Sequence, residues 1–419
     1  MGNLSQFMPE ETETIRRIFD WHKEQGVAEP PRGYLGASII GHDCDRYLWY
    51  CFRQALKPEF SGRLYRLFET GDLEEIRFVK ELRAIGCEVH EVDPKTGEQF
   101  EVNAINGHFS GHMDGCASGI PEAPKTWHVL EFKTHNAKSF EKLRKTGVKA
   151  SKPQHYAQMM SYMGLTGMSR ALYLARNKDN DDLYGERIRY NAEEFKGLMA
   201  RAERIIKANE APERCASRPD DFRCRFCDAK TLCWGGESEV AVPLPDVSCR
   251  TCCHATAELT GAPCRWSCAR MKYDIPENVP CDDHLLLPSL IHFADPVDAG
   301  EDHIEFKNKS DGAVWQHGPH PGQYSTKALI NSLGPLAPGS GEPSNPPVIV
   351  AGYEDAYCRW VGSPEGITAA MDELGFGALM EHQPNHTDDS GAMRYFEYGN
   401  VLVVVNQEAN EATILEGKQ

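Results

Sequence analysis

Residues 128–135 read HVLEFKTH, a run with the apolar content of a buried strand that nevertheless carries Glu131 and Lys133 two positions apart. Side chains alternate across a strand with a period of two. Glu131 and Lys133 therefore share one face, and Leu130, Phe132 and Thr134 take the other. A carboxylate and an ammonium on one face of such a strand form either a salt-bridged solvent edge or a site. Any fold of this chain has to cover the apolar face and find a role for the charged one.

The flanking segments narrow the choice. GHFSGHMDGCAS and HVLEFKT bracket GIPEAPKTW, a turn-rich connection. A hairpin centred near Glu122 and Ala123 sets Asp114 opposite Glu131. Upstream, residues 63–86 read as a helix. Steps of three or four from Phe68 pass Gly71, Glu75, Val79 and Leu82, which puts Glu75 on the buried stripe and leaves Glu74 and Glu81 to solvent. Downstream, a helix opening at Pro153 aligns Gln154, Gln158 and Tyr162 on one face and Tyr156, Met159, Met160 and Met163 on the other. Three carboxylates meeting at one place repel and shift upward in pKa unless a cation sits among them. A hard ion such as Mg²⁺ takes one or two carboxylates plus substrate phosphate, and a lysine beside it offsets charge developing in the transition state. These are the parts of a phosphodiesterase.

The same residues, in this order, resemble the PD-(D/E)XK nucleases, in their RecB-like exonuclease branch. The matching pieces are the G-x-x-x-E of Gly71 and Glu75, GHMDG with Asp114, EFK with Glu131 and Lys133, and QMMSY with Gln158 and Tyr162. The resemblance covers about the first 235 residues. It implies an α/β restriction-endonuclease-like core with a mixed central sheet flanked by helices. It further implies Mg²⁺ or Mn²⁺ at Asp114 and Glu131, with the Phe132 carbonyl as a further ligand and Lys133 serving the nucleophilic water. Glu75 would support or bind metal, at a position where many relatives have histidine. Gln158 and Tyr162 would shape the site and the DNA path.

A formal net charge of −17 repels polyanions over most of the surface, so DNA binding needs local basic surface. Lys133 to Lys152 supplies it: Lys138, Lys142, Arg144, Lys145, Lys149 and Lys152 stand against a single acid, Glu141.

The chain has 15 cysteines, and its first 21 residues contain no apolar h-region, so no secretory signal is expected. Clustered thiols in a reducing compartment hold metal more often than they form disulfides. Cys224, Cys227 and Cys233 are spaced C-x2-C-x5-C and lack a local fourth ligand, for which Cys44 and Cys51 are candidates. Four thiolates suit a [4Fe–4S] cluster, and zinc is the alternative. The arrangement resembles the iron–sulfur staple of certain RecB-like nucleases, including those of CRISPR adaptation modules; that resemblance favours Cys44 through its C-D-R-x-L-x-Y neighbourhood. A second set, among Cys249, Cys252, Cys253, His254, Cys264, Cys268, Cys281 and His284, suggests structural zinc at Cys249, Cys252, Cys268 and Cys281, with His284 able to replace Cys281.

The organisation expected is a nuclease domain over 1–240, a cysteine-rich zinc-binding region over 241–295 and a β-rich segment over 296–334. A linker over 335–347 and a small α+β domain over 348–419 follow. No run reaches the length of a membrane span, and a cytoplasmic setting, bacterial or in a phage-infected host, is expected. The function expected is a divalent-metal-dependent DNA exonuclease in recombination, repair or phage DNA processing, by analogy beside a single-strand annealing protein. The alternatives are a CRISPR-adaptation end-trimmer, an endonuclease, or an inactive iron–sulfur or zinc DNA-binding scaffold.

Overall fold

The computed structural model describes residues 12–27, 31–56, 60–235, 242, 244–271, 274–275 and 281–332, and the strands given below between 357 and 416. Its elements run α1 (Glu13–Val27), β1 (Leu35–Gly36), α2 (Asp45–Phe52), α3 (Gly62–Ala84), β2 (Glu88–His90), β3 (Glu101–Ala104), β4 (Phe109–His112), β5 (Cys116–Ser118), β6 (His128–His135), α4 (Ala137–Ser151), α5 (Pro153–Thr166), β7 (Arg170–Asn177), β8 (Leu183–Arg189), α6 (Ala192–Lys207) and α7 (Lys230–Trp234). Then come β9 (Ala255–Ala257), β10 (Trp266–Cys268), β11 (Asp274–Ile275), β12 (Ala294–Ala299), β13 (Ile304–Asn308), β14 (Val314–His317) and α8 (Thr326–Ser332). The architecture is mixed α/β.

The central sheet has the order β2-β5-β6-β7-β8. Its β6–β7 pair is parallel and the others are antiparallel. A parallel pair needs a crossover connection, and α4 and α5 provide it. Asn136 caps α4, its Oδ1 accepting from Ser139 N at 2.8 Å, and Pro153 opens α5. On one side of the sheet Phe78, Val79 and Leu82 of α3 pack on Leu130 and Phe132, with Phe78 stacked on Phe132 at 5.2 Å. The strand's apolar face is thereby covered, and Glu131, Lys133 and His135 turn to the opposite side.

The hairpin joining β5 and β6 pairs Cys116 with Val129 and Ala117 with His128, the register of a turn centred at Glu122 and Ala123. The single strand expected over GHFSGHMDGCAS divides in two. β4 joins a separate β1-β4-β3 sheet, while β5 joins the central one. Asp114 lies at the bend between them. Gly115 makes that bend possible: its φ is +143°, and a Cβ there would fall 2.6 Å from the His90 carbonyl oxygen.

The stripe expected on α3 holds at Val79 and Leu82 and fails at Phe68, Gly71 and Glu75. Its buried residues are Gly62, Glu74, Phe78, Val79 and Leu82, whereas Phe68 is 46% exposed. Glu74, expected in solvent, is buried because Arg176 of β7 reaches it at 2.8 Å and Arg77 lies at 3.7 Å. Glu75 is half-buried one position away.

Residues 1–326 form one compact unit and 327–419 a second. The cysteine-rich region does not stand apart from the first unit. Asn106 Nδ2 donates to the carbonyls of Glu258 (3.0 Å) and Ala262 (2.9 Å), and Trp266 stacks on Phe52 at 5.7 Å. β9–β11 and β12–β14 form two three-stranded antiparallel sheets. In the second unit β15 (Tyr357–Gly362), β16 (His386–Thr387), β17 (Met393–Tyr398), β18 (Val401–Asn406) and β19 (Glu411–Glu416) form an antiparallel sheet of order β15-β19-β18-β17-β16. The expected linker 335–347 lies outside the described residues. No described helix is long and apolar enough to cross a membrane.

Candidate active site and thiol centres

Glu131 is fully buried on the polar face of β6. Lys133 Nζ lies 2.6 Å from Glu131 Oε1, 4.0 Å from Asp114 Oδ2, and 2.9 Å from the Phe132 carbonyl oxygen to which it donates. Asp114 Oδ2 accepts from Phe132 N at 2.7 Å, so the strand's own backbone holds that carboxylate beside it. Neither Glu131 oxygen has a hydrogen-bond partner of good geometry. From α5, Gln158 Nε2 donates to Tyr162 Oη at 3.1 Å, and that hydroxyl donates to the His112 carbonyl at 2.7 Å. This closes the wall next to Asp114.

Burial pushes the Glu131 carboxyl up to about 8 against the pull of Lys133, with Asp114 and Glu75 adding repulsion. Glu75 is pushed up to about 7 by burial first and the Asp114 charge second, with Lys133 opposing. Burial works against the Lys133 charge, but Glu131 and Asp114 outweigh it and hold the ammonium above the usual lysine range. A buried carboxyl whose close partner is the Lys133 ammonium, next to a second carboxylate and a backbone carbonyl, is a hard-oxygen donor set that fits Mg²⁺ or Mn²⁺. Among the described residues no three His, Cys, Asp or Glu side chains converge as closely as the sphere of a single ion demands. Here the Lys133 ammonium reaches both acids.

These shifts fix a pH dependence. Between about 4.5 and about 7 to 8 the folded chain keeps protons on Glu75 and Glu131 that the unfolded chain has released. Stability therefore falls as pH rises from about 5 to about 8, and the penalty is complete above that. Calorimetry without divalent ions should show the melting temperature falling across this window. With Mg²⁺ present the fall should shrink; equal slopes in both conditions would contradict cation binding at these carboxylates.

Sequence reasoning missed three neighbours. Tyr173 pairs with Glu131 in register, and its hydroxyl lies 2.9 Å from both His135 Nε2 and His155 Nδ1. Burial lowers His135 to about 4 and His155 further still, so both are neutral at pH 7. His135 was accessible to period-two reasoning, since it follows Lys133 on the same face. The other two depend on contacts between distant segments.

The basic stretch lies mostly on α4. Lys138, Lys142, Arg144, Lys145 and Lys149 are exposed and Lys152 is half-buried. Lys149 pairs with Glu194 at 2.6 Å, Arg144 pairs with Glu141 at 3.1 Å, and Lys152 Nζ contacts Ser139 Oγ.

The first cysteine set gathers in one pocket. Cys44, Cys224, Cys227 and Cys233 line it together with Cys215, which has no motif spacing to mark it. Cys51 is not among the lining residues; its thiol hydrogen-bonds with Tyr47. A soft sulfur donor set fits an iron–sulfur cluster or zinc.

In the second set Cys249, Cys252 and Cys268 are near neighbours. Backbone N–H groups meet two of these sulfurs, those of Leu285 and His254 at Cys252 and that of Met271 at Cys268 (3.4 Å). Cys281 precedes the turn in which His284 N donates to its carbonyl at 3.3 Å. His284, the expected alternative to Cys281, has Nδ1 2.8 Å from Thr326 Oγ1 and Nε2 3.0 Å from Ser248 O.

No known protein family matches the sequence, and no curated protein does. Among solved structures, SSO0001 shows a partial likeness at 15% identity and TM-score 0.34, over 53% of this chain and 96% of that one. LHK-Exo, an alkaline exonuclease from Laribacter hongkongensis, matches at 16% identity and TM-score 0.29, over 44% and 90% of the two chains. Its complex with dAMP gives 17% identity and TM-score 0.29, over 45% and 89%.

Proposed function

We propose that the first unit is a divalent-metal-dependent deoxyribonuclease acting from DNA ends, in recombination, repair or phage DNA processing. The observation that carries this reading is Glu131, fully buried and ion-paired with Lys133 at 2.6 Å, with Asp114 beside the same ammonium. A scaffold protein has no use for two acids and a lysine gathered at one buried point of a strand. Asp114 and Glu131 would hold the cation, with the Phe132 carbonyl and Glu75 at its margin. When bound, it would polarise a phosphoryl oxygen and make a bound water more acidic. Lys133 orients the water and offsets charge growing on the phosphate oxygens. Tyr162 and Gln158 keep the Asp114 wall rigid.

The test is digestion of end-labelled duplex and single-stranded DNA with Mg²⁺ or Mn²⁺. Mononucleotides released from ends are expected, internal fragments would make the protein an endonuclease, and no hydrolysis would contradict the reading.

The exposed cations of α4 are proposed to neutralise backbone phosphates. Lys142→Glu with Lys145→Glu should weaken DNA binding uniformly across sequences and reduce the log–log salt slope by about 2. An unchanged slope in a fluorescence titration would remove α4 from the DNA path.

The first thiol pocket is proposed to hold a [4Fe–4S] cluster, and Cys249, Cys252 and Cys268 with Cys281 a structural zinc ion. The amide groups aimed at the Cys252 and Cys268 sulfurs support the latter, because such donors stabilise bound thiolates.

A further inference from the structure

Of the cations on α4 and just after it, Lys152 alone is drawn inward: it is half-buried and the others are exposed. Lys133 is held by Glu131 and Asp114, Arg144 by Glu141 and Lys149 by Glu194. Among the described residues no carboxylate lies within ion-pairing distance of Lys152. Its ammonium meets the Ser139 hydroxyl instead. Burial works against its charge first and Lys142, a like charge, second. An ammonium taken from water beside another cation is unfavourable unless an anion joins it.

The groups next to Lys152 are donors. Ser139 stands in the first turn of α4, its N–H held by the Asn136 cap. Asp179, the acid at the start of that helix, accepts from Ala137 N at 2.8 Å. Lys152 is itself the N-cap residue of α5, which no side chain caps. The N–H groups of Gln154 and His155 in its first turn therefore have no helical acceptor. His155 Nδ1 and His135 Nε2 each lie 2.9 Å from Tyr173 Oη, with the two rings nearly parallel and 5.9 Å apart. One hydroxyl proton cannot serve two acceptors, so Tyr173 donates to one imidazole and accepts from the other. Where it donates to His155, that neutral ring keeps its own proton on Nε2, turned away from Tyr173.

Resting on the nuclease reading of the neighbouring carboxylates, we propose that Lys152, Ser139 and His155 form a subsite for one backbone phosphate of the DNA strand, the neighbour of the phosphate that is cleaved. The two sites adjoin along β6. His135 continues the face that carries Glu131 and Lys133, and Tyr173 pairs in register with Glu131. Lys133 and His135 are two strand residues apart, about 7 Å, a distance suited to successive phosphates of an extended strand. Lys152 supplies the charge, and Ser139 and His155 supply hydrogen bonds. Tyr173 and His135 are positioning residues that orient His155. The exposed cations of α4 act on any phosphate that passes, whereas a half-buried ammonium between fixed donors selects one position.

The experiment measures affinity, without divalent ions, for DNA strands in which one phosphate at a time is a neutral methylphosphonate. Wild type should lose about tenfold at one replaced position beyond the loss at any other, and Lys152→Met should lose nothing further there, the coupling of two groups in contact. On unmodified DNA, Lys152→Met should bind about tenfold more weakly than wild type, for the same reason. Ser139→Ala, a milder change, should shrink the penalty at that position and leave the others as they are. Far-ultraviolet circular dichroism of both variants separates loss of the subsite from loss of fold. With Mg²⁺, the bond that wild type cuts in unmodified DNA should lie next to that phosphate. The same penalties in wild type and both variants, or a penalty that follows removal of a terminal phosphate, would overturn the subsite, while cleavage by wild type would uphold the nuclease reading. A position-specific penalty cancelled by Lys152→Met in a protein that cleaves no DNA would uphold the phosphate site and overturn the nuclease reading.

Discussion

Lys133→Met should lower Mg²⁺-dependent DNA hydrolysis by at least about 10²-fold, the scale of losing one preorganised charge at a reacting centre, with DNA binding nearly unchanged. Methionine keeps the stem of the side chain and removes only the ammonium, which lies 2.6 Å from Glu131 and 4.0 Å from Asp114. Without it, Glu131 remains buried beside two other carboxylates with nothing to oppose the upward push on its pKa. The variant should therefore be less stable than wild type in the absence of divalent ions and gain more in melting temperature when Mg²⁺ is added. An unchanged cleavage rate would end the assignment of Lys133, and equal Mg²⁺ stabilisation would separate it from the cation.

On the proposed cluster reading, Cys227→Ser should release the iron and lower the melting temperature by roughly 10 °C, since metal binding of this kind is folding free energy. Apart from Ala216 and Cys224, the segment from 215 to 234 buries only Ala229, Leu232 and Trp234. Its apolar cluster is Ala216, Cys224 and Trp234 with Cys215 and Cys233, and Phe222 and Phe226 are 78% and 90% exposed. Anaerobic calorimetry with iron analysis decides the matter: loss of iron without loss of melting temperature would leave the pocket a site that the fold does not need.

Local periodicity was enough to expose β6 and its partner. Glu131 and Lys133 interrupt an apolar run with period two, and the β5–β6 register is the one counted from a centre at residues 122–123, although the turn itself closes between Ile120 and Ala123. The helix was harder to read. Phe68 reads as a stripe position, yet it is exposed. The core beneath α3 is built by Phe78, Val79 and Leu82. Glu74 is buried by an arginine 102 positions away, and no helical pattern carries that information.

Cysteine spacing marked Cys224, Cys227 and Cys233 because their separations are short. Cys215 has no such mark, and the contacts of its neighbour Arg214 with Trp234 and the Cys233 carbonyl depend on residues distant in sequence. The same limit applies to Tyr173 and His155, whose shared hydrogen bonds join β7 to the first turn of α5. Burial of the cysteine-rich region against Asn106 and His108 is also invisible to composition, which made that region look like a separate appendage.

The central claim is that Asp114 and Glu131 share a divalent cation. The most direct measurement is an anomalous difference map from crystals soaked in Mn²⁺. A peak within bonding distance of both carboxylates, absent in Glu131→Gln, is the predicted result. Manganese bound elsewhere, or no peak between residues 114 and 131, would contradict it.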